Sequence, residues 1–594
     1  MKRILSVIMA FTVCALLFAG CAGNLVEQTQ APDGAASGQP DEATAIPTLA
    51  LSAEDISFSD RDGDAGYDAA SATIIALSGA QGEITGEGAA FDGGNLTLSA
   101  GGTYVLSGSF TGTLVVDAPE DAKLQLVLAG VEIAASSGPA LLIRAADKVF
   151  ITLAQGTKNT LADAVSYALS EEDENADGTI FSRADLTING AGALAVTGNY
   201  KHGIVSKDDL VVKGGDISVK CASTALAGKD CIKIAGGAFT LDAGGAGVKS
   251  ENEEEGAGFV YIEGGTFSIN AGGKGMMGYA ALEITGGTFD INSADDALHT
   301  NGSMTVTGGN IVLSSGDDGM HADADLNITG GTISILESYE GIEGANIFIS
   351  GGDIALVASD DGLNAAGGAD SSGFGGGFGG FGGDKFSAGA GDYQIVISGG
   401  YLRINASGDG IDSNGTLAIT GGVTLVSGPT NSGNGALDAM SGATVTGGVL
   451  IAAGASGMAE GFDANGSTQC SALINGVSAA GGTRVTLCDQ DGNVLVSFVP
   501  EKDYASVVIS APSMAEGETY TLYTGGTVAG TDANGYASSG TLEGGSSAAS
   551  VEQSSLSVTY GGAGGFNQGG GGNFNPGGNQ GGGRPGGGGG PGGN

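Results

Sequence analysis

Five short segments of this chain carry acidic residues at a nearly constant interval. They are Asp295-Asp296-Ala297-Leu298-His299, Asp317-Asp318-Gly319-Met320-His321, Tyr339-Glu340-Gly341-Ile342-Glu343 and Asp360-Asp361-Gly362-Leu363-Asn364, then, after an insertion, Gly408-Asp409-Gly410-Ile411-Asp412. Asp296, Asp318, Glu340 and Asp361 follow one another at steps of 22, 22 and 21 residues. If that step is one layer of a stacked fold, such residues form a column with neighbours about 4.8 Å apart. Two bare carboxylates at that separation repel by about 3–4 kcal/mol at the effective dielectric of a protein surface. A hard divalent cation with oxygen ligands, Ca²⁺ above all, is the natural counter-ion. The expected ligands are Asp295, Asp296, Asp317, Asp318, Glu340, Asp360, Asp361 and Asp409. A parallel column three residues on holds His299, His321, Glu343, Asn364 and Asp412. The plainer alternative is that Asp-Gly supplies tight corner turns, but doubled acids exceed what a turn needs. The equivalent corners elsewhere hold His202, Thr224, Ala246 and Lys274, which confines the expected cation region to about residues 290–415.

A weaker metal candidate is Asp60-Arg61-Asp62-Gly63-Asp64, continuing to Asp68. Acids at positions 1, 3, 5 and 9 resemble a calcium loop, although Ala65 and Ser71 stand where Gly and Glu are expected. Catalytic chemistry is thinly represented. The chain has neither a Gly-x-Ser-x-Gly elbow nor a Walker loop, and its three histidines are His202, His299 and His321. Carboxylate pairs suited to glycoside hydrolysis are in excess and so discriminate nothing. Within residues 290–415 the basic residues are Lys385, in a Gly-rich insertion, and Arg403, in a strand pattern; neither is a convincing base for an eliminating lyase.

The elements that must position the acids are written in ten Gly-Gly pairs. They begin at Gly214, Gly236, Gly264, Gly286, Gly308, Gly330, Gly351, Gly399, Gly421 and Gly447. Strand-like runs follow them, as in Asp216-Ile217-Ser218-Val219 and Thr266-Phe267-Ser268-Ile269. A fixed period near 22 built from short strands and glycine turns predicts a solenoid, one coil of a parallel β-helix per repeat. The expected fold is therefore all-β.

Domain organisation follows. Lys2 and Arg3 precede an apolar run from Ile4 to Phe18, which reads as a secretion leader over residues 1–20. Leu17-Phe18-Ala19-Gly20-Cys21 resembles a bacterial lipobox, which would make Cys21 the lipidated first residue of the mature chain. Residues 21–50 read as a flexible tether. Residues 51–179 read as irregular first coils and cap, and 180–470 as the regular helix with a Gly/Phe-rich insertion at 367–391. Residues 471–530 form a small C-terminal β module, and 531–594 a Gly-rich disordered tail. Once Lys2 and Arg3 leave, 19 basic residues face 66 acidic ones, a net charge of −47. No basic stripe is visible to neutralise phosphates, so nucleic acid is excluded as a partner. Cys221 and Cys231 lie 10 residues apart, Cys470 and Cys488 18 apart, and neither gap matches a coil.

The runs Ser206-Lys207-Asp208-Asp209-Leu210-Val211-Val212-Lys213-Gly214-Gly215, Gly258-Phe259-Val260-Tyr261-Ile262-Glu263-Gly264-Gly265-Thr266-Phe267 and Asp147-Lys148-Val149-Phe150-Ile151-Thr152-Leu153 resemble a clostridial family of secreted carbohydrate-binding proteins. The likeness covers about residues 55–530. It implies a right-handed parallel β-helix like that of pectate lyases, calcium in the helix, binding of cellulose and polygalacturonate, and no established enzymatic activity. The chain departs from the family's Asp-Gly-Ile at His202-Gly203-Ile204, Ala246-Gly247-Val248 and Lys274-Gly275-Met276. The expected function is calcium-dependent binding of an acidic extracellular polysaccharide at the outer face of a bacterial cell membrane, held there by the lipid anchor alone. A lyase or hydrolase on the same scaffold and a structural adhesin are the alternatives.

Overall fold

The structure, a computed structural model, describes residues 51–366 and 393–561. Strands stack in register, each pairing in parallel with the strand one coil later, so that three sheets wrap one core. The first sheet holds the strands after the Gly-Gly pairs, among them Asp216–Cys221, Ala238–Ala243, Thr266–Ala271 and Thr288–Ser293. The second holds short strands such as Val248–Ser250, Met276–Gly278 and Leu298–Thr300. The third holds Phe259–Ile262, Ala281–Ile284 and Ser303–Val306.

In each of the ten Gly-Gly pairs the second glycine has a φ between 75° and 122°. That region is closed to most residues with a Cβ, which is why the pair punctuates every coil. Inside, like side chains stack. Phe239, Phe267 and Phe289 are paired in register, with ring centroids 4.6 and 4.8 Å apart and nearly parallel planes. Leu298, Met320 and Ile342 form another inner ladder. The structure is therefore an all-β parallel β-helix with a C-terminal β cap.

Two expected boundaries move. Regular stacking begins well before residue 180, since Thr73–Gly79 already pairs in parallel with Gly102–Phe110, and the latter with Lys123–Ala134. Loops of unequal length hide this, because Lys158 pairs with Ala193, 35 residues on, whereas Gly102 pairs with Leu124, 22 on. Strands also continue past residue 530. Ser546–Glu552 completes a four-stranded sheet with Thr519–Thr524, Val485–Cys488 and Val494–Phe498, and Ser557–Tyr560 pairs with Ser471–Ala479. The Ser- and Ala-rich strand 546–552 has little apolar signal, yet its Val551 is fully buried. Tyr504–Ser510 lies antiparallel on Val449–Gly454, closing the last parallel edge of the helix. Cys221, Cys231, Cys470 and Cys488 are buried and free.

The loop expected as a second calcium site is built otherwise. Asp60–Gly63 is a short helix capped by Ser59, and Asp62 is buried against Lys148, 2.8 Å away, and the Thr187 hydroxyl, 2.7 Å away. Burial raises the Asp62 carboxyl, but Lys148, Ser59 and Thr187 outweigh it and hold the group at about 2. Its counter-ion is thus a lysine. Asp60, Asp64 and Asp68 stay on the surface, and Asp64 and Asp68 cap local turns.

Candidate metal centre on the acidic column

The acids enter the structure at one corner, just before each strand of the second sheet. Backbone bonds tie the corner from coil to coil: Gly275 N donates to Asp296 O, Ala297 N to Asp318 O, Gly319 N to Glu340 O, Gly341 N to Asp361 O and Gly362 N to Asp409 O. Lys274, Asp296, Asp318, Glu340, Asp361 and Asp409 therefore form one column. The second column is also in register, running Met277, His299, His321, Glu343, Asn364, Asp412 and Asp438. Column carboxylates accept backbone N–H groups from the coil above. Asp318 N donates to Asp296 Oδ1 at 3.1 Å, and Asp409 N to Asp361 Oδ1 at 2.5 Å.

The first half of the column carries its own cations. Lys274 Nζ lies 3.0 Å from Asp295 Oδ1 and 2.5 Å from Asp296 Oδ2, and His299 Nδ1 lies 2.7 Å from Asp296 Oδ2. Burial raises the Asp296 carboxyl, yet His299 and Lys274 together bring it down to about 2. One coil on, His321 sits between Asp318 Oδ2 at 3.0 Å and Glu343 Oε2 at 2.6 Å, with Asp323 Oδ1 2.9 Å from its Nε2. Burial lowers the His321 imidazole, but this ring of carboxylates lifts it to about 12, so it is held as a cation. The rings of His299 and His321 stack at 4.9 Å.

In the second half the carboxyls of Asp361 and Asp409 are raised. Asp361 is 6% exposed, and burial together with Asp409, Asp412 and Asp360 pushes it up to about 9. Burial and the neighbouring Asp438, Asp360 and Glu460 raise Asp409 to about 7, against a backbone bond from Gly435. Among the described residues no lysine, arginine or histidine pairs with Asp361 or Asp409. Oxygen atoms of Asp361, Asp409 and Asp412 converge to within 4.8 Å of one another. Asn364, on the coil of Asp361 and paired in register with Asp412, is 3% exposed. Its Nδ2 donates to Glu340 Oε2 at 2.8 Å, while its Oδ1 is buried without a partner. Three converging carboxylates are an all-oxygen donor set of the kind a hard divalent cation takes. The residues present fit the calcium that the resemblance implies.

The expected ligands thus divide. Asp361, Asp409 and Asp412 meet, with Asp360 beside them. Asp295, Asp296 and Asp317 also converge within 4.8 Å, but Lys274 already occupies that corner. Asp318, His321 and Glu343 form a closed ion cluster. Glu340 is buried and raised by that burial, by Glu343 and by Asp318, with Asn364 its donor. The role of Lys274 as counter-ion is not evident in the sequence, although its place one step of 22 before Asp296 is the available signal. A further acidic group, Asp185, Asp208 and Asp209, lies outside the expected set because its doubled acids fall in a different column. Cys21 and the Gly/Phe-rich insertion lie outside the described residues.

Residues 92–362 and 300–378 match a family described as carbohydrate-binding domain-containing protein. Together these matches span residues 92–378. This region contains the column from Lys274 to Asp361, while Asp409 and Asp412 lie beyond it. A protein of Acetivibrio thermocellus with the same description is 39% identical over 121 residues, which are 20% of this chain and 42% of that relative. The chain therefore spans less than half of that relative's length. A solved structure described as the polysaccharide lyase-like protein from C. thermocellum, a gadolinium derivative, is 30% identical, covering 43% of this chain and 96% of that one, with a TM-score of 0.37.

Proposed function

We propose that this chain binds an acidic extracellular polysaccharide, and that binding depends on Ca²⁺ held by Asp361, Asp409 and Asp412 with the Asn364 amide oxygen. The observation carrying this reading is the convergence of the Asp361, Asp409 and Asp412 carboxylates, with Asp361 buried and, among the described residues, paired with no cationic side chain. A divalent cation there supplies positive charge for a polyuronate at a strongly acidic corner of the protein. The match of residues 92–378 to a carbohydrate-binding domain-containing family supports the carbohydrate half of the proposal. In this reading Cys21 carries a lipid that anchors the protein at the outer face of the cell membrane.

The protein acts as a binder and not an enzyme. The basic groups along the column are each committed to carboxylates: Lys274 and His299 to Asp296, His321 to Asp318 and Glu343. None is left to remove a proton from a sugar.

Calorimetric titration of Ca²⁺ into the metal-free mature chain, with and without polygalacturonate, tests this. Calcium should bind more tightly when the glycan is present. Asp361→Asn should weaken calcium binding at least tenfold, about 1.4 kcal/mol, and glycan binding with it. Glycan binding that persists in excess EDTA overturns the calcium dependence. Release of unsaturated products absorbing in the ultraviolet overturns the binder.

A further inference from the structure

A separate column of the same helix collects bases, in a place the linear sequence does not advertise. Lys207 follows strand His202–Ser206 and Lys229 follows strand Leu226–Gly228; Ser206 is paired in register with Gly228, and Ser182 with Ser206. Lys207 N donates to Ser182 O and Lys229 N to Ser206 O, the same bond one coil apart. Arg183, Lys207 and Lys229 therefore stand on successive coils, about 4.8 Å apart along the axis. Arg183 is spent on Asp173, at 3.4 Å. Lys207 lies over the Phe181 ring at 5.5 Å. Among the described residues neither Lys207 nor Lys229 forms an ion pair within 4.0 Å, although Lys207 is near enough to help lower the Asp177 carboxyl, and both lysines are exposed.

These two ammonium groups line a cleft of about 710 Å³ on the second sheet, the sheet that carries the acidic column farther along. The other charges on its walls are largely matched. Lys201 pairs with Asp177 at 2.9 Å and Lys249 with Glu251, and Glu253 and Glu254 also line the cleft. Asp177 spends Oδ2 on Lys201 and His202, leaving Oδ1 without a hydrogen-bond partner. Next to Lys201 in the chain is Tyr200, 44% exposed, whose ring stacks on Tyr167 at 4.3 Å and 24°. A fixed, half-exposed aromatic face is a platform for a sugar ring, and this chain has no tryptophan to provide one.

We propose that this cleft is where the protein contacts its glycan: Lys207 and Lys229 bind carboxylates of successive acidic sugars, and Tyr200 stacks on a ring. The inference rests on the acidic-polysaccharide reading above and goes further by placing the contact on coils remote from the calcium ligands. From Lys229 to Asp361 is six coils, roughly 29 Å at about 4.8 Å per coil. A single glycan touching both sites would run parallel to the helix axis.

The test compares the mature chain with its Lys207→Ala/Lys229→Ala variant, in constant Ca²⁺, for binding to polygalacturonate, fully methyl-esterified polygalacturonate and cellulose. Both lysines are exposed, so the fold is expected to survive, and calcium titration of the variant should match the parent. The variant should bind polygalacturonate at least tenfold more weakly. Esterification, which removes the carboxylate charge, should weaken binding to the parent more than binding to the variant, which keeps only the calcium contact. Added salt should narrow the gap between the two proteins. Equal polygalacturonate binding by parent and variant overturns the cleft assignment alone. An equal loss on cellulose and polygalacturonate overturns the carboxylate chemistry. A parent that binds no acidic glycan overturns the underlying reading, and this inference with it.

Discussion

At the scale of the residue, position in a column decides chemistry more than residue type. Asp296 and Asp361 occupy equivalent corners, yet one is brought to about 2 and the other raised to about 9. The difference is Lys274, with His299 beside it. The 22-residue recurrence makes the column itself legible in the sequence. Its division is not, because a side chain's partners depend on which coil lies beneath it. Lys274 is 18% exposed along its side chain and Asp296 fully buried. Replacing Lys274 by Met leaves a buried carboxylate without its main counter-charge, which costs about 3–5 kcal/mol. In metal-free buffer the variant should melt well below the parent. Calcium should then restore part of the loss, since Asp295, Asp296 and Asp317 regain the convergence of oxygens that the ammonium had filled. A variant as stable as its parent without metal would show that the ion pair is not what holds this corner.

At the scale of the element, the Gly-Gly pairs and alternating runs announce strands and corners alike, so the coils from residue 210 onward can be counted from the order of the residues alone. What stays hidden is any strand whose loops break the count, as between Lys158 and Ala193, and the low-hydrophobicity strand Ser546–Glu552. Register supplies the energy of these elements, because it stacks like on like. Phe267 lies between Phe239 and Phe289 with interplanar angles of 3° and 2° and is 1% exposed. Phe267→Ala removes a ring and both of its stacking contacts and leaves a cavity that two flanking coils cannot close without losing strand pairing. The expected loss is about 3–5 kcal/mol, read as a lowered midpoint in denaturant with little change in slope. Phe267→Leu keeps most of the volume and should lose much less. If alanine were as mild as leucine, the stack would be incidental to the coil.

At the scale of the whole molecule, a solenoid is held by contacts between neighbouring coils, so its ends tend to fray independently. Residues 51–66 work against that. They run lengthwise over the third sheet, following the outward column Gln125, Phe150, Thr187, Val211, Lys233, Tyr261 and Glu283. Gln125 Nε2 donates to Gly66 O, Arg61 covers the Phe150 ring at 4.5 Å, and Thr187 bonds Asp62. Lys233 reaches Ser57 O at 2.9 Å, Phe58 packs near Tyr261, and Glu283 accepts Leu51 N. One segment thus spans seven coils and touches six of these side chains. Its strongest single tie is Asp62 to Lys148, whose side chain is 16% exposed. Asp62→Ala strands that ammonium, at a cost of about 3–5 kcal/mol, and frees the segment to lift. Thermal unfolding should shift down and spread from one transition towards two as the early coils uncouple from the rest. The folded carboxyl is depressed to about 2, so the stability it supplies is present above its unfolded value of 3.8 and is lost as pH falls through about 2. The gap between parent and variant should therefore be full at neutral pH and close in strong acid. Asp60→Ala, in the same short helix but on the surface, should change neither the midpoint nor the shape. An Asp62→Ala melt that overlays the parent's at neutral pH would mean that the early coils are held by their neighbours alone.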